Sequence, residues 1–425
     1  MDEAGAVIER GIKTIRKLFT SAINAPDEKT TTAIAKHAIA SQKAERIRAM
    51  LFLSQSATPV SPAELDQDPY RLNCRNGTLD LRTGQLGQHR REDFVTKLVP
   101  IDYNPDATAP RWFQFLEQVF EGDQDLIQFV QRAAGYSLLG VQPEHVMLIL
   151  HGGGRNGKGI FLETLRNVLG DDYARTAPVS MLLARDQEGI PNDLAGLKGT
   201  RLVMASEPNE GRRLDEGKIK ALTGGDTMTA RFMRGEFFDF RPGFTLWLST
   251  NHRPVIRGTD EGIWSRLRLV PFGVRFYLPD EPMPEGLPDD CRADMKLADQ
   301  LRKEYAGILT WMVKGCLNWQ QLGSLGTPEK VRKATQAYRE QEDVLGSFLR
   351  DCCALEPTAS AAAKDLYQAY KDWTEASGER QISQIVLGKR LQEKGLDSAI
   401  LGSGRSRYRA WLGIRLQDHI DRETV

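Results

Sequence analysis

Residues 148–161 read LILHGGGRNGKGIF, in which Gly152, four further residues, Gly157 and Lys158 satisfy the G-x-x-x-x-G-K spacing of a phosphate-binding loop. Such a loop needs small residues so that backbone amides can close around phosphate oxygens, and a lysine whose charge reaches the β and γ oxygens. Gly152, Gly153, Gly154, Arg155, Asn156, Gly157, Lys158, Gly159 and Ile160 are therefore the candidate nucleotide contacts. One position departs from the pattern: Gly159 stands where Ser or Thr supplies a hydroxyl to magnesium. A water can take that place, because magnesium keeps several waters and also takes phosphate oxygens. A side chain at 159 is expected to disturb a backbone angle or a close helix contact that glycine allows.

Phosphate chemistry also needs an acid to hold the metal or polarise water, and groups that sense the terminal phosphate. The run RLVMASE ends in Glu207, the candidate acid and metal-side carboxylate, with Glu210 as the alternative. Asn251 ends LWLSTN and can touch the γ-phosphate or position water. GIWSRLRLVPF offers Arg266 and Arg268, one of which can act as an arginine finger on a neighbouring subunit's nucleotide. Between these lies IKALTGGDTMTARFMRGEFFDFRP. Lys220 sits on its helix, and two alternating segments flank Arg231 and Arg234, which reads as a hairpin with a basic tip suited to phosphate-backbone contact. Residues 201–275 hold 13 Lys and Arg against 9 Asp and Glu, a local excess in a chain whose Lys+Arg and Asp+Glu totals are both 57.

Several elements must position these groups. HVMLILHG, TRLVMASE, FTLWLSTN and LRLVPF are short apolar runs, as buried strands of an α/β sheet covered on both faces should be. GIFLETLRNVLG predicts the helix after the loop, with Phe161, Leu162, Leu165, Val168 and Leu169 inward and Gly170 ending it. Residues 1–55 read as helical, and NGTLDLRTG as short strands with turns at Asn76-Gly77 and Thr83-Gly84. PRWFQFLEQVFEGDQDLIQFVQRAAGYSLLG predicts two amphipathic helices, the first burying Trp112, Phe115, Leu116 and Phe120. Asp66-x-Asp68 beside Pro69 reads as a loop rather than a metal site. Near the end, a helix bearing Leu366, Tyr367, Tyr370 and Trp373, a second capped by Ser383 and bearing Val386, Leu387 and Leu391, and a hairpin around GSGRSRY follow the order of a winged helix.

Composition excludes some classes. The chain has 425 residues, enough for two or three domains, and a balanced net charge, so any basic surface must be local. No apolar run approaches the roughly 18 residues of a membrane span, and the acidic start MDEAGAVIERGIK does not read as a signal peptide. The five cysteines, Cys74, Cys291, Cys316, Cys352 and Cys353, have no metal-ligand spacing and read as reduced thiols of a cytosolic protein.

With these residues together, the chain resembles the superfamily 3 helicases, and more closely the helicase part of phage and plasmid primase-helicases, including the poxvirus type. GGGRNGKG, ASEPNEGRRLDEGKIKALTGGDTMTARFMRGEFF, LSTNHRP and GTDEGIWSRLRLVPF are similar to that family's successive motifs, and NGTLDLRTG and AAGYSLLG to the domain before its ATPase. The resemblance implies an AAA+-like P-loop ATPase that uses ATP and Mg2+ and forms a ring, usually a hexamer, moving 3′ to 5′ on single-stranded or forked DNA. It maps Lys158 to the phosphate-loop lysine, Glu207 to the metal-side acid, Asn251 to the sensor, Arg266 to the finger, and Lys220, Arg231 and Arg234 to the DNA side. The expected organisation is a mainly helical domain with a small β region over 1–140, the ATPase over 141–342 and a winged-helix module over 343–425. About 65 residues precede the matched region, too few for a primase domain, so primer synthesis is not expected. A separate primase or other replication proteins are then the expected partners, in a bacterial host cytoplasm and with no membrane. Two other readings stay open: a DNA-binding replication initiator with a weak or inactive ATPase site, and a ring ATPase that remodels proteins.

Overall fold

In the computed structural model, which describes residues 5–57, 61, 64–184, 192–207, 211–258 and 260–417, the apolar runs assemble into one parallel sheet of five strands. They are β1 (Met147–His151), β2 (Ala174–Thr176), β3 (Leu202–Glu207), β4 (Thr245–Thr250) and β5 (Leu267–Pro271). Their spatial order is β5-β1-β4-β3-β2, and every neighbouring pair is parallel. Successive side chains of a strand point to opposite faces. Leu148, Leu150, Trp247 and Val270 accordingly enter one apolar cluster, while Met147, Ile149, Leu246, Leu248 and Leu269 enter the other. Burial on both faces is the reason these runs are continuously apolar rather than alternating.

The first cluster is closed by the helix after the loop, Lys158–Tyr173, whose Phe161, Leu162, Leu165, Val168 and Leu169 are buried. Gly170, at φ 71° and ψ 171°, interrupts that helix before its last turn. The helix Pro110–Phe120 buries Trp112, Phe115, Leu116, Val119 and Phe120 against it. Trp112 stacks on Phe161 at 5.6 Å and meets Trp311 edge-on at 5.4 Å. A small antiparallel sheet, Arg71–Cys74, Gly77–Asp80 and Gln85–Gly87, contributes Leu72, Cys74 and Leu79 to the same cluster. Asp68, at its edge, accepts two hydrogen bonds from Arg82.

The chain divides into two compact units, Met1–Gln67 and Asp68–Val425. The first contains the helices Ala6–Ile23, Glu28–Ser41 and Ala44–Ala57; its buried apolar residues include Ile15, Ala22, Ala38 and Ile47. The second ends in Val344–Cys352 (helix), Cys353–Ala362 (strand), Ala363–Ser377 and Gln384–Glu393 (helices), and Ser398–Leu401 and Tyr408–Leu416 (strands). Those strands form a three-stranded antiparallel sheet with Tyr408–Leu416 in the middle. The Ser383 hydroxyl caps its helix by accepting from the Val386 amide, but Val386 is exposed rather than on the apolar face with Leu387 and Leu391. All five cysteines are free thiols. No helix of the described residues is long and apolar enough to cross a membrane.

Candidate functional site

The glycine-rich turn leaves the carboxyl end of β1, where β5 and β4 flank it, the place where open parallel sheets hold ligands. Two glycines are required by geometry. Gly157, at φ 86°, turns the chain into the helix, and a Cβ at Gly152 would sit 2.1 Å from the Phe272 carbonyl oxygen. Asn156 is buried and its Nδ2 donates to that same Phe272 oxygen, pinning the turn to the end of β5. Arg155 adopts φ 57°, its carbonyl accepts from the Phe276 amide at 2.7 Å, and its guanidinium pairs with Glu281. The first turn of a helix leaves its amides without intrahelical partners, and a helix amino end favours an anion.

Lys158 is 4% exposed, and its ammonium donates to four oxygens: Gly152 O at 2.7 Å, Gly153 O at 3.2 Å, Asn156 Oδ1 at 3.0 Å and Asn251 Oδ1 at 3.0 Å. Burial pulls its pKa down to about 8. His151, also partly buried and facing Arg253, Lys158 and His252, is held down to about 4 and stays neutral. Lys158 and Asn251, 93 residues apart in sequence, thus meet across β1 and β4. Glu207 ends β3, the neighbour of β4, in register with Thr250; its side chain and Glu210 lie outside the described residues. Gly159 corrects an expectation. Its φ is not positive and a Cβ there meets nothing within 4 Å, so neither backbone nor packing demands glycine.

The two arginines part company. Arg268 lies in β5 and is spent on the Thr327 hydroxyl and the carbonyls of Ser265 and Leu267. Arg266 precedes β5, and its carbonyl accepts from the Met147 amide, which fixes it at the amino edge of the sheet. Its guanidinium donates from Nη1 to the Gly262 carbonyl, while Nε is buried without a partner among the described residues. Met147 and His151 stand four residues apart along β1, about 13 Å at 3.3 Å per residue, so Arg266 and the loop of its own chain occupy opposite edges.

Lys220, on the helix Glu216–Gly224, is paired with Asp260 at 2.8 Å. Met228–Ala230 and Phe238–Phe240 form the expected antiparallel hairpin. At its tip Arg231 lies over the Phe237 ring at 4.7 Å, Arg234 adopts φ 63°, and Phe232 and Phe237 are more than half exposed. The tip is therefore aromatic as well as basic. Sequence reading did not find the Arg155 tie to Glu281, since 126 residues separate the pair, nor the bond from Arg253 to Gln341 behind Asn251. No local signal marks either.

Residues 3–121 match a family model described as D5 N terminal like, and residues 150–266 match a family of unknown function. The chain is 29% identical over 325 residues to the "Putative helicase" of Acanthamoeba polyphaga mimivirus, covering 73% of this chain and 33% of that protein. It is 27% identical over 301 residues to the "Putative helicase" of Frog virus 3, covering 69% and 30%. It is 26% identical over 332 residues to the "Putative primase" of African swine fever virus, covering 74% and 34%. The chain thus spans about a third of the length of these relatives. The apo structure of the NrS-1 C terminal region aligns over 74% of this chain and 79% of that one at 10% identity, with a TM-score of 0.47. The chain is thus similar to viral proteins named as putative helicases and putative primases.

Proposed function

We propose that, within the primase-helicase family its relatives indicate, this chain is an ATP-dependent DNA helicase of superfamily 3 that works as a ring, six subunits being the expected number, and moves 3′ to 5′. The replicon is a phage, prophage or plasmid in a bacterial cytoplasm, with a separate primase or other replication proteins as partners. The observation that carries the reading is the convergence of Lys158 and Asn251 at the carboxyl edge of the sheet, beside a helix amino end. Four oxygens around one buried ammonium mark a place built for oxygen ligands, and a triphosphate supplies them.

The loop's residues fit the phosphates of ATP, and Glu207 would be the carboxylate that holds magnesium beside them. Lys158 exchanges chain oxygens for those of the β and γ phosphates, and the loop amides donate to the rest. Bound magnesium neutralises charge on the phosphates and fixes their geometry. Glu207 would hold the metal or polarise the attacking water, and Asn251 would orient that water or the γ-phosphate. Arg266, too far from its own loop, serves the neighbour's site across a head-to-tail contact. The hairpin carrying Arg231 and Arg234 contacts single-stranded or forked DNA, with Lys220 at its base, and the 343–425 module is a winged helix. A second reading, an initiator with a weak or inactive ATPase, draws on Gly159, which removes the metal-side hydroxyl. DNA-stimulated ATP hydrolysis and strand unwinding test the proposal. Wild type should show both and Lys158→Ala neither; because the substitution also strips the partner from four oxygens of the loop and Asn251, a thermal melt must show that the variant is folded at the assay temperature. Wild-type turnover in Lys158→Ala removes the nucleotide from this loop.

A further inference from the structure

Charge is balanced over the whole chain but not within its first unit. Residues 5–57, which hold that unit's three helices, carry nine Lys and Arg against four Asp and Glu. The helix Ala6–Ile23 sorts its share by face. At about 100° per residue, Arg10, Lys13, Arg16 and Lys17 fall on one arc with Glu9, Thr14, Thr20 and Ser21, and all eight are exposed. From Glu9 to Ser21 no apolar residue shares that arc. The opposite face is used inside the unit: Ile15 and Ala22 are buried, and a Cβ at Gly11 would stand 3.1 Å from Met50 Cε. Two hydroxyls on the arc donate back to the helix, Thr14 to the Arg10 carbonyl at 2.9 Å and Ser21 to the Lys17 carbonyl at 3.2 Å. Glu9 accepts from Lys13 at 2.9 Å, an exposed pair that a polyanion can displace at little cost. Arg10, Arg16 and Lys17 have no ion-pair partner among the described residues.

We propose that this face binds the sugar–phosphate backbone of double-stranded DNA, without regard to base sequence, as a DNA contact separate from the hairpin. That the polyanion is DNA rests on the helicase reading above. Seven residues separate Arg10 from Lys17, about 10 Å of helix. A duplex carries one phosphate per about 1.7 Å of its axis, so the four cations meet several phosphates at once. Contacts to phosphate carry no sequence information. The arc has no aromatic residue, and grip on a single strand draws on base stacking, so the rigid and densely charged duplex fits better. A lipid surface fits less well, because an interfacial helix buries its apolar face in the membrane. Here that face packs on the unit's own helices.

Fluorescence anisotropy of the full chain with a short labelled duplex, across a salt titration, tests this. Arg10→Gln/Lys13→Gln/Lys17→Gln keeps helix propensity and removes three phosphate contacts. The salt slope of duplex binding should shrink by about 2.7, with affinity down more than about tenfold. Lys17→Gln alone should shrink the slope by about 0.9. Lys29→Gln/Lys36→Gln/Lys43→Gln removes equal charge from other exposed positions of the same unit and should change the slope by less than about 1. An unchanged slope in the first two variants, an equal loss in the third, or a loss of single-strand affinity as large as the duplex loss overturns the inference. So does loss of binding to phosphatidylcholine and phosphatidylserine vesicles with the duplex slope intact, which would assign the face to lipid. None of these outcomes touches the helicase reading, since ATP hydrolysis and unwinding are measured separately. A wild type that neither hydrolyses ATP nor unwinds, while the slope still falls in the triple variant, overturns that reading and keeps this inference.

Discussion

Replacing Gly159 by serine isolates the one departure from the phosphate-loop pattern. The position is the second residue of the helix that begins at Lys158, it has no positive φ, and a new Cβ finds open space. Strain therefore does not oppose the change. Glycine in a helix costs about 1 kcal/mol relative to alanine and serine about half of that, so Gly159→Ser should stabilise the fold by about 0.5 kcal/mol. Its hydroxyl would stand where a water otherwise completes the coordination of magnesium. The hydroxyl replaces a water that would already ligate the metal, so the gain is the immobilisation of that water, about 0–2 kcal/mol, and the magnesium midpoint for ATP hydrolysis should fall by a few-fold to roughly tenfold. The assay is DNA-stimulated hydrolysis at fixed ATP across a magnesium titration, with a thermal melt of both proteins. Equal midpoints in two folded proteins would refute the placement of the metal beside 159. A wild type silent at all magnesium concentrations but active as the serine variant would make the initiator reading the better one.

Arg266→Ala should leave ATP affinity near wild type and lower hydrolysis by about a thousandfold or more, as arginine fingers do; mixed with wild type it should poison activity beyond dilution, and a linear mixing curve with confirmed subunit exchange counts against action on a neighbour. Arg234→Ala should uncouple unwinding from hydrolysis and lower the salt slope of DNA binding by about 1; an unchanged slope with normal unwinding removes the hairpin from the DNA path. Lys158 titrates near 8 because burial disfavours its charge, against an ordinary 10.5. Between these values the unfolded chain binds more protons, so this group's contribution to stability rises with pH across that window. ATP affinity, which needs the ammonium, should instead fall above pH 8. Titrations at pH 7 and pH 9.5 check this, and identical affinities would contradict it.

What the sequence made legible follows from how each element is buried. β1, β3, β4 and β5 are covered on both faces, so their apolar runs stand out. β2 has three residues at the sheet edge, two of them exposed, and no pattern to read. The strand Cys353–Ala362 alternates weakly because much of it faces out. The loop was legible because its chemistry is local, lying within 152–160. The choice between Arg266 and Arg268 was not, because both are arginines two residues apart; only the pairing of β5 with β1 separates an edge residue from a strand residue tied to Thr327. That a side chain at 159 would disturb a backbone angle or a helix contact is the expectation because glycine serves both, and only the three-dimensional neighbours show open space there.

The oxygens that hold Lys158 also tie the loop to the next strand of the sheet through Asn251, and the segment behind Asn251 is hydrogen-bonded onward. Arg253 donates to Gln341, the Tyr338 hydroxyl to the Pro254 carbonyl, and the Ile256 amide to Glu342 at 2.8 Å. The helix that carries those partners, Glu329–Glu342, runs into Asp343. Asp343 caps the helix Val344–Cys352 through the Gly346 amide at 2.9 Å and pairs with Lys394 at 2.5 Å. From the loop lysine to the last module, polar contacts and the backbone of 251–256 thus form one path. The turn that carries Lys158 and the last module are thereby joined through a single short segment, 251–256, and that segment holds both.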